Sequence, residues 1–344
     1  MAERGNQKKK LLSLMKILWE KTDEENGLSM SEILTELENF YDIKTERKSI
    51  YDDIDALKVF SNLKIEKSKK GKSCEYKLTE RIFETVHLKL LIDAIQSSKF
   101  ITESKSNDLI KRLKTLASKN DIKKLNRNVY ATKVKSINED IYKNTDTIHL
   151  AISSNKKIKF KYFNWNVDKN KEFHKNGEFY TISPWALTWD NGNYYLIGYD
   201  EDAIFFDDDI ESKGILKNFR VDKMVETEII PDTERIGDKE FENFDISEYI
   251  NRRFRMFNGE ETSVKIKFKN NLAGVVIDRF GKDTPFVEKT DDYFVARINV
   301  AVSLQFLSWV IALGDGTEII SPQNVVDEMK EEIKRLSKLY NVCP

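Results

Sequence analysis

Residues 183–200 read SPWALTWDNGNYYLIGYD, and residues 216–224 read LKNFRVDKM. The pair Asn191-Gly192 is a hairpin signal, because both central residues of a type I′ turn need positive φ. It sits between two runs of aromatic and aliphatic side chains, residues 185–189 and 194–199. With that pair at the turn, Trp189 falls opposite Tyr194, Thr188 opposite Tyr195, and Leu187 opposite Leu196. Period-two alternation then gathers Trp185, Leu187, Trp189, Tyr194 and Leu196 on one face and Thr188, Tyr195 and Ile197 on the other. The first face reads as a core. The second, with a tyrosine beside a threonine, reads as a binding surface.

Working outward, residues 157–163 alternate as a strand, with Ile158, Phe160 and Tyr162 on one side and three lysines on the other. Residues 179–182 start another strand, and residues 218–224 a last one. About five short antiparallel strands predict a small barrel. On the last strand Arg220 and Asp222 share a face, opposite Phe219 and Val221. An arginine there, beside Tyr195 and Ser183, would make a cationic, aromatic patch. Arginine can hold a phosphate bidentately and tyrosine can stack a base. The candidate ligand residues are Tyr195 and Arg220, then Ser183, Tyr162 and Lys223. The structural alternative is that Arg220 pairs with Asp222.

This segment resembles the WYL domain of bacterial transcriptional regulators. The Trp-Tyr-Leu triplet of that family falls on Tyr194, Tyr195 and Leu196, with tyrosine in place of tryptophan. Its later Phe-Arg-Leu-Asp-Arg strand falls on Phe219, Arg220, Val221, Asp222 and Lys223. The resemblance implies an Sm-like or SH3-like barrel over residues 147–231. It also implies an effector drawn from nucleotides or single-stranded nucleic-acid fragments.

The amino-terminal residues 1–80 read as a separate unit. Apolar residues recur at helical spacing over 7–22, Ser29 or Ser31 can cap a second helix, and Thr45 can cap a third over 46–59 with Ile50, Ile54 and Leu57 inward. A strand at 63–66, the turn SKKGKS at 68–73 and a return strand at 74–78 follow. Three helices and a two-stranded ribbon are the winged helix-turn-helix order. Residues 47–57 resemble the recognition helix that accompanies WYL domains. Such helices read base edges from their first turn, which here offers Thr45, Arg47, Lys48, Ser49 and Tyr51. Lys67, Lys69, Lys70 and Lys72 on the wing can meet backbone phosphates. Asp52 stands where many relatives have a second arginine and Asp53 follows it, which weakens attraction for phosphate unless they turn inward or pair with lysines.

Residues 81–146 read as a helical linker, with amphipathic helices at 83–99 and 106–117, a polar basic stretch at 121–128 and a helix at 137–153. Residues 232–261 read as a connector with helical character over 242–257. Residues 262–344 follow a β-α-β-α-β-α order, which predicts a small α+β sandwich. It resembles the ferredoxin-like C-terminal extension (WCX) of WYL regulators, which implies dimer and ligand contacts. The fold class expected is therefore multidomain α+β.

The chain has 344 residues, too many for one ordinary core, and its 33% charged and 40% apolar composition is that of a soluble globular protein. No apolar run is long enough for a membrane span, and the first helix lacks the apolar block of a signal peptide. Cys74 and Cys343 are far apart in sequence, which suits a reducing cytoplasm. The net charge is −1, so nucleic-acid binding must come from a local patch. His87, His149 and His174 lie in separate segments, and no Walker, HExxH, CxxC or GxSxG pattern occurs, so neither an enzyme nor a cofactor is expected. Asp207-Asp208-Asp209 lacks calcium-loop spacing and reads as a solvated turn that could shield the Arg220 patch. The expectation is a cytoplasmic, homodimeric regulator that binds double-stranded DNA. The rival is an RNA- or single-strand-binding adaptor acting through the barrel, favoured by the Asp52-Asp53 pair.

Overall fold

Periodic leucines and isoleucines build the first unit, Met1–Ile137, separately from the second, Asn138–Pro344. The computed structural model describes residues 2–60, 63–71, 73–125, 135–207, 210–241 and 244–342; the side chains of 2–6, 60, 70, 204–207, 210–213, 239 and 240 are not part of that description. Lys70 and Lys72 of the wing turn, the Asp207–Asp209 side chains and Cys343 therefore lie outside it.

The first unit runs α1 (Ala2–Lys21), β1 (Leu28–Ser29), α2 (Met30–Tyr41), α3 (Arg47–Phe60), β2 (Ile65–Lys70) and β3 (Ser73–Leu78). Ser29 caps α2 in a capping box with Glu32, which settles the choice between the two serines. Leu14 and Leu18 from α1, Ile33 and Leu37 from α2, and Ile50, Ile54 and Leu57 from α3 form one core with Ile65, Tyr76 and Leu78. The three strands are antiparallel in the order β1-β3-β2.

Helices α4 (Thr85–Ser97), α5 (Glu103–Lys114) and α6 (Lys119–Leu125) complete this unit. The stretch 121–128, expected as a linker, is helical to Leu125. Its polar composition hid Ile122 and Leu125, which pack with Leu88, Ile92 and Ala117. Asp121 is buried, and the Ser118 hydroxyl lies 2.9 Å from both the Asp121 and Asp23 carboxylates. Burial would raise the Asp23 pKa, but hydrogen bonds from Asn26, Ser118 and Glu25 outweigh it and hold the carboxyl below its ordinary value.

The second unit opens with α7 (Ile141–Ser153), β4 (Lys156–Trp165), β5 (Lys171–Phe173), β6 (Tyr180–Asp190), β7 (Asn193–Asp207) and β8 (Ile210–Arg220). A single 3-10 turn, Val221–Lys223, leads into β9 (Met224–Glu234). The six strands form one curled antiparallel sheet, β5-β4-β6-β7-β8, with β9 also on β4. It is a half-barrel, not the closed barrel expected, since no pairing joins β8 to β5 or β9 among the described residues. The expected strand over 218–224 is also two strands. Val221 is fully buried, and burying it turns the chain out of the β8 ladder.

The hairpin register is as read: Trp189 pairs Tyr194, Thr188 pairs Tyr195 and Leu187 pairs Leu196, with Asn191 at φ 52° and Gly192 at φ 78°. The face assignment holds at Leu196, which is fully buried, but the face read as open is buried as well. Trp189 is 47% exposed, whereas Thr188, Tyr195 and Ile197 are buried. The cover is the segment after β9, with α8 (Asp238–Phe241) and α9 (Ile246–Arg252), which brings Tyr249 and Met256 onto Ala186, Tyr195 and Ile197. Helical character expected over 242–257 is confined to the short α9 among the described residues, and Arg255 and Met256 take left-handed φ of 53° and 59°.

The remainder runs β10 (Glu261–Lys269), α10 (Ala273–Phe280), β11 (Phe286–Lys289), β12 (Tyr293–Ala301), α11 (Leu304–Ala312), β13 (Thr317–Ser321) and α12 (Gln323–Leu339). The expected alternation holds, with β11 added. The sheet is antiparallel in the order β11-β12-β10-β13, over a core of Val264, Ile266, Phe268, Phe294, Ile298 and Phe306.

Candidate nucleic-acid and ligand sites

At the start of α3, Arg47 and Lys48 are exposed and Thr45 and Ser49 are half-buried. Ile50 and Ile54 point into the core, which turns Arg47, Lys48 and Tyr51 outward on the helical period. Asp53 is drawn in the other direction. Its carboxylate is 3.0 Å from the Lys10 ammonium, and Lys10, only 8% exposed, also donates to the Ser49 hydroxyl. Asp52 remains exposed. Lys67 on β2 lies 5.9 Å from the ring centres of both Tyr51 and Tyr76, tying the first turns of α3 to the ribbon. Burial, and then Tyr51, push the Tyr76 hydroxyl pKa up to about 12. Lys67 and Lys69 are exposed on the ribbon.

In the second unit the curl is lined by aromatic rings. Phe160 stacks on Tyr180 at 5.7 Å, and Phe219 meets Phe160 and Tyr162 edge-on at 5.1 and 5.4 Å. At its edge, the Arg220 backbone N–H donates to the Tyr162 hydroxyl oxygen at 3.1 Å. Burial is the main reason that hydroxyl is pushed up to about 12.

The Arg220 guanidinium is already engaged. Its Nε and Nη2 donate to the two Asp222 carboxylate oxygens at 3.1 and 2.8 Å, and Nη2 also donates to Asn193 Oδ1 at 2.9 Å. Lys223 Nζ donates to Asn164 Oδ1 at 2.6 Å, and Asn164 Nδ2 lies 2.8 Å from His174 Nε2. Burial, then repulsion from Arg220, lower the Lys223 pKa. The turn carrying Asp222 is itself held. Asn138 Nδ2 donates to the carbonyls of Asp222 and Met224 at 3.0 and 2.9 Å, and Asn144 Nδ2 to those of Val221 and Met224 at 3.3 and 2.8 Å.

Tyr195 pairs with Arg220 across β7 and β8, so the two share a face, but Tyr195 is 8% exposed beneath Tyr249 and Met256. Its ring therefore has no open face for stacking a base in this conformation. Ser183 is 1% exposed and lies several rungs away, opposite Tyr199, where its Oγ accepts the Ile236 N–H at 3.0 Å. The structure thus brings together Arg220, Tyr162 and Lys223, buries Tyr195 beside them, and sets Ser183 apart.

Two further cations converge on this face. Asp190, at the hairpin end, has a buried Oδ2 with no hydrogen-bond partner among the described residues. Burial raises its pKa, while Arg279 and Arg255 pull it down. Arg279, on α10, lies 4.4 Å from the Phe254 ring and donates to the Arg253 carbonyl at 2.6 Å; Arg255 is exposed. Sequence reading missed Asn164, His174, Asn193, Asp190, Arg255 and Arg279 as neighbours. Only Asp190 and Asn193, flanking the turn pair in the quoted hairpin motif, carried a local signal.

Among the described residues no group of acidic, histidine or cysteine side chains could hold a metal, and no helix is long and apolar enough to cross a membrane. No curated protein matches the chain. Among solved structures, it is similar to proteasome accessory factor B/C (PafBC) of Arthrobacter aurescens at 14% identity and a TM-score of 0.29, covering 94% of this chain. The chain spans about half the length of that protein, 48%. It is also similar to a CRISPR Cas-related protein, at 14% identity and a TM-score of 0.35, covering 90% of this chain and 77% of the other. Comparison with protein families matches the curled sheet and the helix before it to one domain, and the C-terminal sandwich to another. The chain carries a WYL domain at residues 143–229 and a WCX domain at residues 260–337.

Proposed function

We propose that the chain is a cytoplasmic, homodimeric transcription regulator and not an enzyme. In this reading its first unit binds double-stranded DNA as a winged helix-turn-helix, and its WYL domain senses a nucleotide or nucleic-acid-derived ligand that alters operator binding. The observation that carries the reading is the division of charge on α3. Arg47 and Lys48 stand exposed at its amino end while Asp53 is drawn to Lys10. Helices of this kind contact base edges through their first turn, and exposed lysines on an adjoining ribbon add phosphate contacts. A two-fold dimer calls for paired half-sites about one helical turn or a multiple apart.

In the WYL domain the Arg220 fork is held by a carboxylate, the geometry a phosphate also satisfies. A ligand phosphate would replace Asp222 on Arg220, with Lys223, Arg255 and Arg279 supplying further positive charge, and would shift the turn 221–223. Tyr162 positions the Arg220 backbone in this scheme. Ser183 and Tyr195 serve the fold, and Tyr195 becomes a ligand contact only if residues 249–256 lift.

The test is selection of bound genomic DNA by the purified protein, followed by binding titrations with duplex, single-stranded DNA and RNA over a salt series. Sequence-specific duplex binding, lost on Arg47→Ala with Lys48→Ala and kept on Arg220→Ala, is the expected result. The exposed Asp52 favours a second reading, an RNA- or single-strand-binding adaptor working through the WYL domain. Binding lost on Arg220→Ala but indifferent to Arg47 would replace the first reading by this one.

A further inference from the structure

Lys223 forms no ion pair among the described residues. Its ammonium is half-buried and donates to a neutral group, the Oδ1 of Asn164, at 2.6 Å. Burial, and then repulsion from Arg220, already act against its charge. Asn164 reaches it because Tyr162 and Asn164 share a face of β4, Tyr162 taking the Arg220 N–H and Asn164 the Lys223 ammonium.

The other half of the Asn164 amide settles the state of a third residue. With Oδ1 accepting from Lys223, only the Nδ2 donors remain, and Nδ2 lies 2.8 Å from His174 Nε2. Nε2 must therefore accept, so the imidazole is neutral with its proton on Nδ1. The pairing of Asn164 with Glu172 and the turn His174–Gly177 bring the ring there, edge-on to Tyr162 at 5.3 Å. The charged and titratable groups around it are Tyr162 from β4, exposed Glu172 from β5, Lys223 beyond Asn164 with Arg220 and Asp222 behind it, and Lys175, whose ammonium lies 4.2 Å over the Tyr180 ring.

Histidine ordinarily changes charge between about pH 5 and about pH 8. A proton taken from solvent onto His174 Nε2 sets a donor against the Asn164 donor. The amide satisfies it only by turning over, with Oδ1 to His174 and Nδ2 to Lys223. Lys223 then meets an N–H where it had an oxygen.

We propose that His174 is a positioning residue for the anion site at Arg220: through Asn164 its neutral form holds Lys223 back, and its protonated form releases Lys223 to the ligand phosphate. This rests on the reading of the Arg220 fork as an anion site and adds to it a dependence on pH.

The test titrates the full chain with sulfate, a tetrahedral anion of constant charge over this range, from about pH 5 to about pH 8, followed by nuclear magnetic resonance. Wild-type affinity should rise by on the order of tenfold as pH falls, the worth of one charge-assisted hydrogen bond. His174→Gln, whose side-chain oxygen still accepts from Asn164, should keep the weak high-pH affinity throughout. Asn164→Ala, at an exposed position, should bind tightly throughout. A proton acting on the anion only by its charge would leave the Asn164→Ala profile as steep as that of the wild type. The ligand-free chain has three histidines, and nitrogen shifts should show His174 Nε2 bare at the high-pH end, with mixed tautomers in Asn164→Ala. Sulfate binding that vanishes in Arg220→Ala, yet keeps one pH profile in wild type, His174→Gln and Asn164→Ala, overturns the relay and leaves the anion site standing. A neutral wild-type His174 with its proton on Nε2 overturns the relay as well. Sulfate bound by none of these proteins at any pH overturns the anion site and the relay together.

Discussion

Arg47 and Arg220 are set in opposite surroundings. Arg47 stands exposed on α3 with no ion pair among the described residues. Arg220 is half-buried and spends its donors on Asp222 and Asn193; burial would lower its pKa, but the bond to Asp222 and that carboxylate's charge raise it. A free surface cation gives affinity that falls with salt and little geometric selectivity. A fork held by a carboxylate binds only what can outcompete that carboxylate, so it costs affinity and confers selection by shape and charge. Under the proposed function, the first corner would grip a polymer and the second would discriminate among small anions.

The largest expected effect tests how α3 keeps its outward face cationic. Asp53→Ala strands the nearly buried Lys10 ammonium, and losing one partner of such a pair costs roughly 3–5 kcal/mol. Urea unfolding followed by circular dichroism reads this directly; an unchanged midpoint would mean that Lys10 finds other partners and that Asp53 is not restrained by it. Next, Arg47→Ala should weaken specific duplex binding by about 1–3 kcal/mol, and Lys48→Ala should reduce the salt slope by about 1. Equal losses for Arg220→Ala in the same titration would erase the contrast.

A smaller effect concerns the Arg220 corner alone. Tyr162→Phe removes the acceptor of the Arg220 N–H and should cost about 1 kcal/mol of stability in thermal unfolding, with duplex affinity unaltered. The smallest is a pH effect of opposite sign in the two units. Asp23 has a lowered folded pKa, so its contribution is present above the ordinary carboxylate value and is lost as pH falls through the folded one. Asp190 has a raised folded pKa, so its contribution is present below the ordinary value and is lost as pH rises through the folded one. Acidification should therefore weaken the first unit relative to the second. Asp23→Asn should flatten that loss and Asp190→Asn should raise neutral stability slightly, both visible as shifts in unfolding temperature with pH.

What could be read from the sequence was whatever a local rule determines. Asn191-Gly192 admits one turn, and the turn fixes the pairing of Thr188 with Tyr195 and, through it, the cross-strand position beside Arg220. Helical spacing likewise placed Ile50, Ile54 and Leu57 inward and left Arg47 and Lys48 outward. That the Thr188, Tyr195 and Ile197 face of the hairpin is covered was not a local matter. It depends on Tyr249 and Met256, more than fifty residues downstream, in a stretch whose described residues form just the short helices α8 and α9. The same holds for Ser183, whose partner Ile236 comes from after the last strand, and for α6, whose single face of Ile122 and Leu125 is diluted by lysines.

The turn 221–223 has two sets of attachments. Outward, Asp222 holds the Arg220 fork; inward, its carbonyls and that of Met224 hold the amides of Asn138 and Asn144. Asn138 is the residue at which the chain passes from one unit to the other. Under the proposed function, an anion that displaced Asp222 would therefore pull on the stretch that opens the second unit.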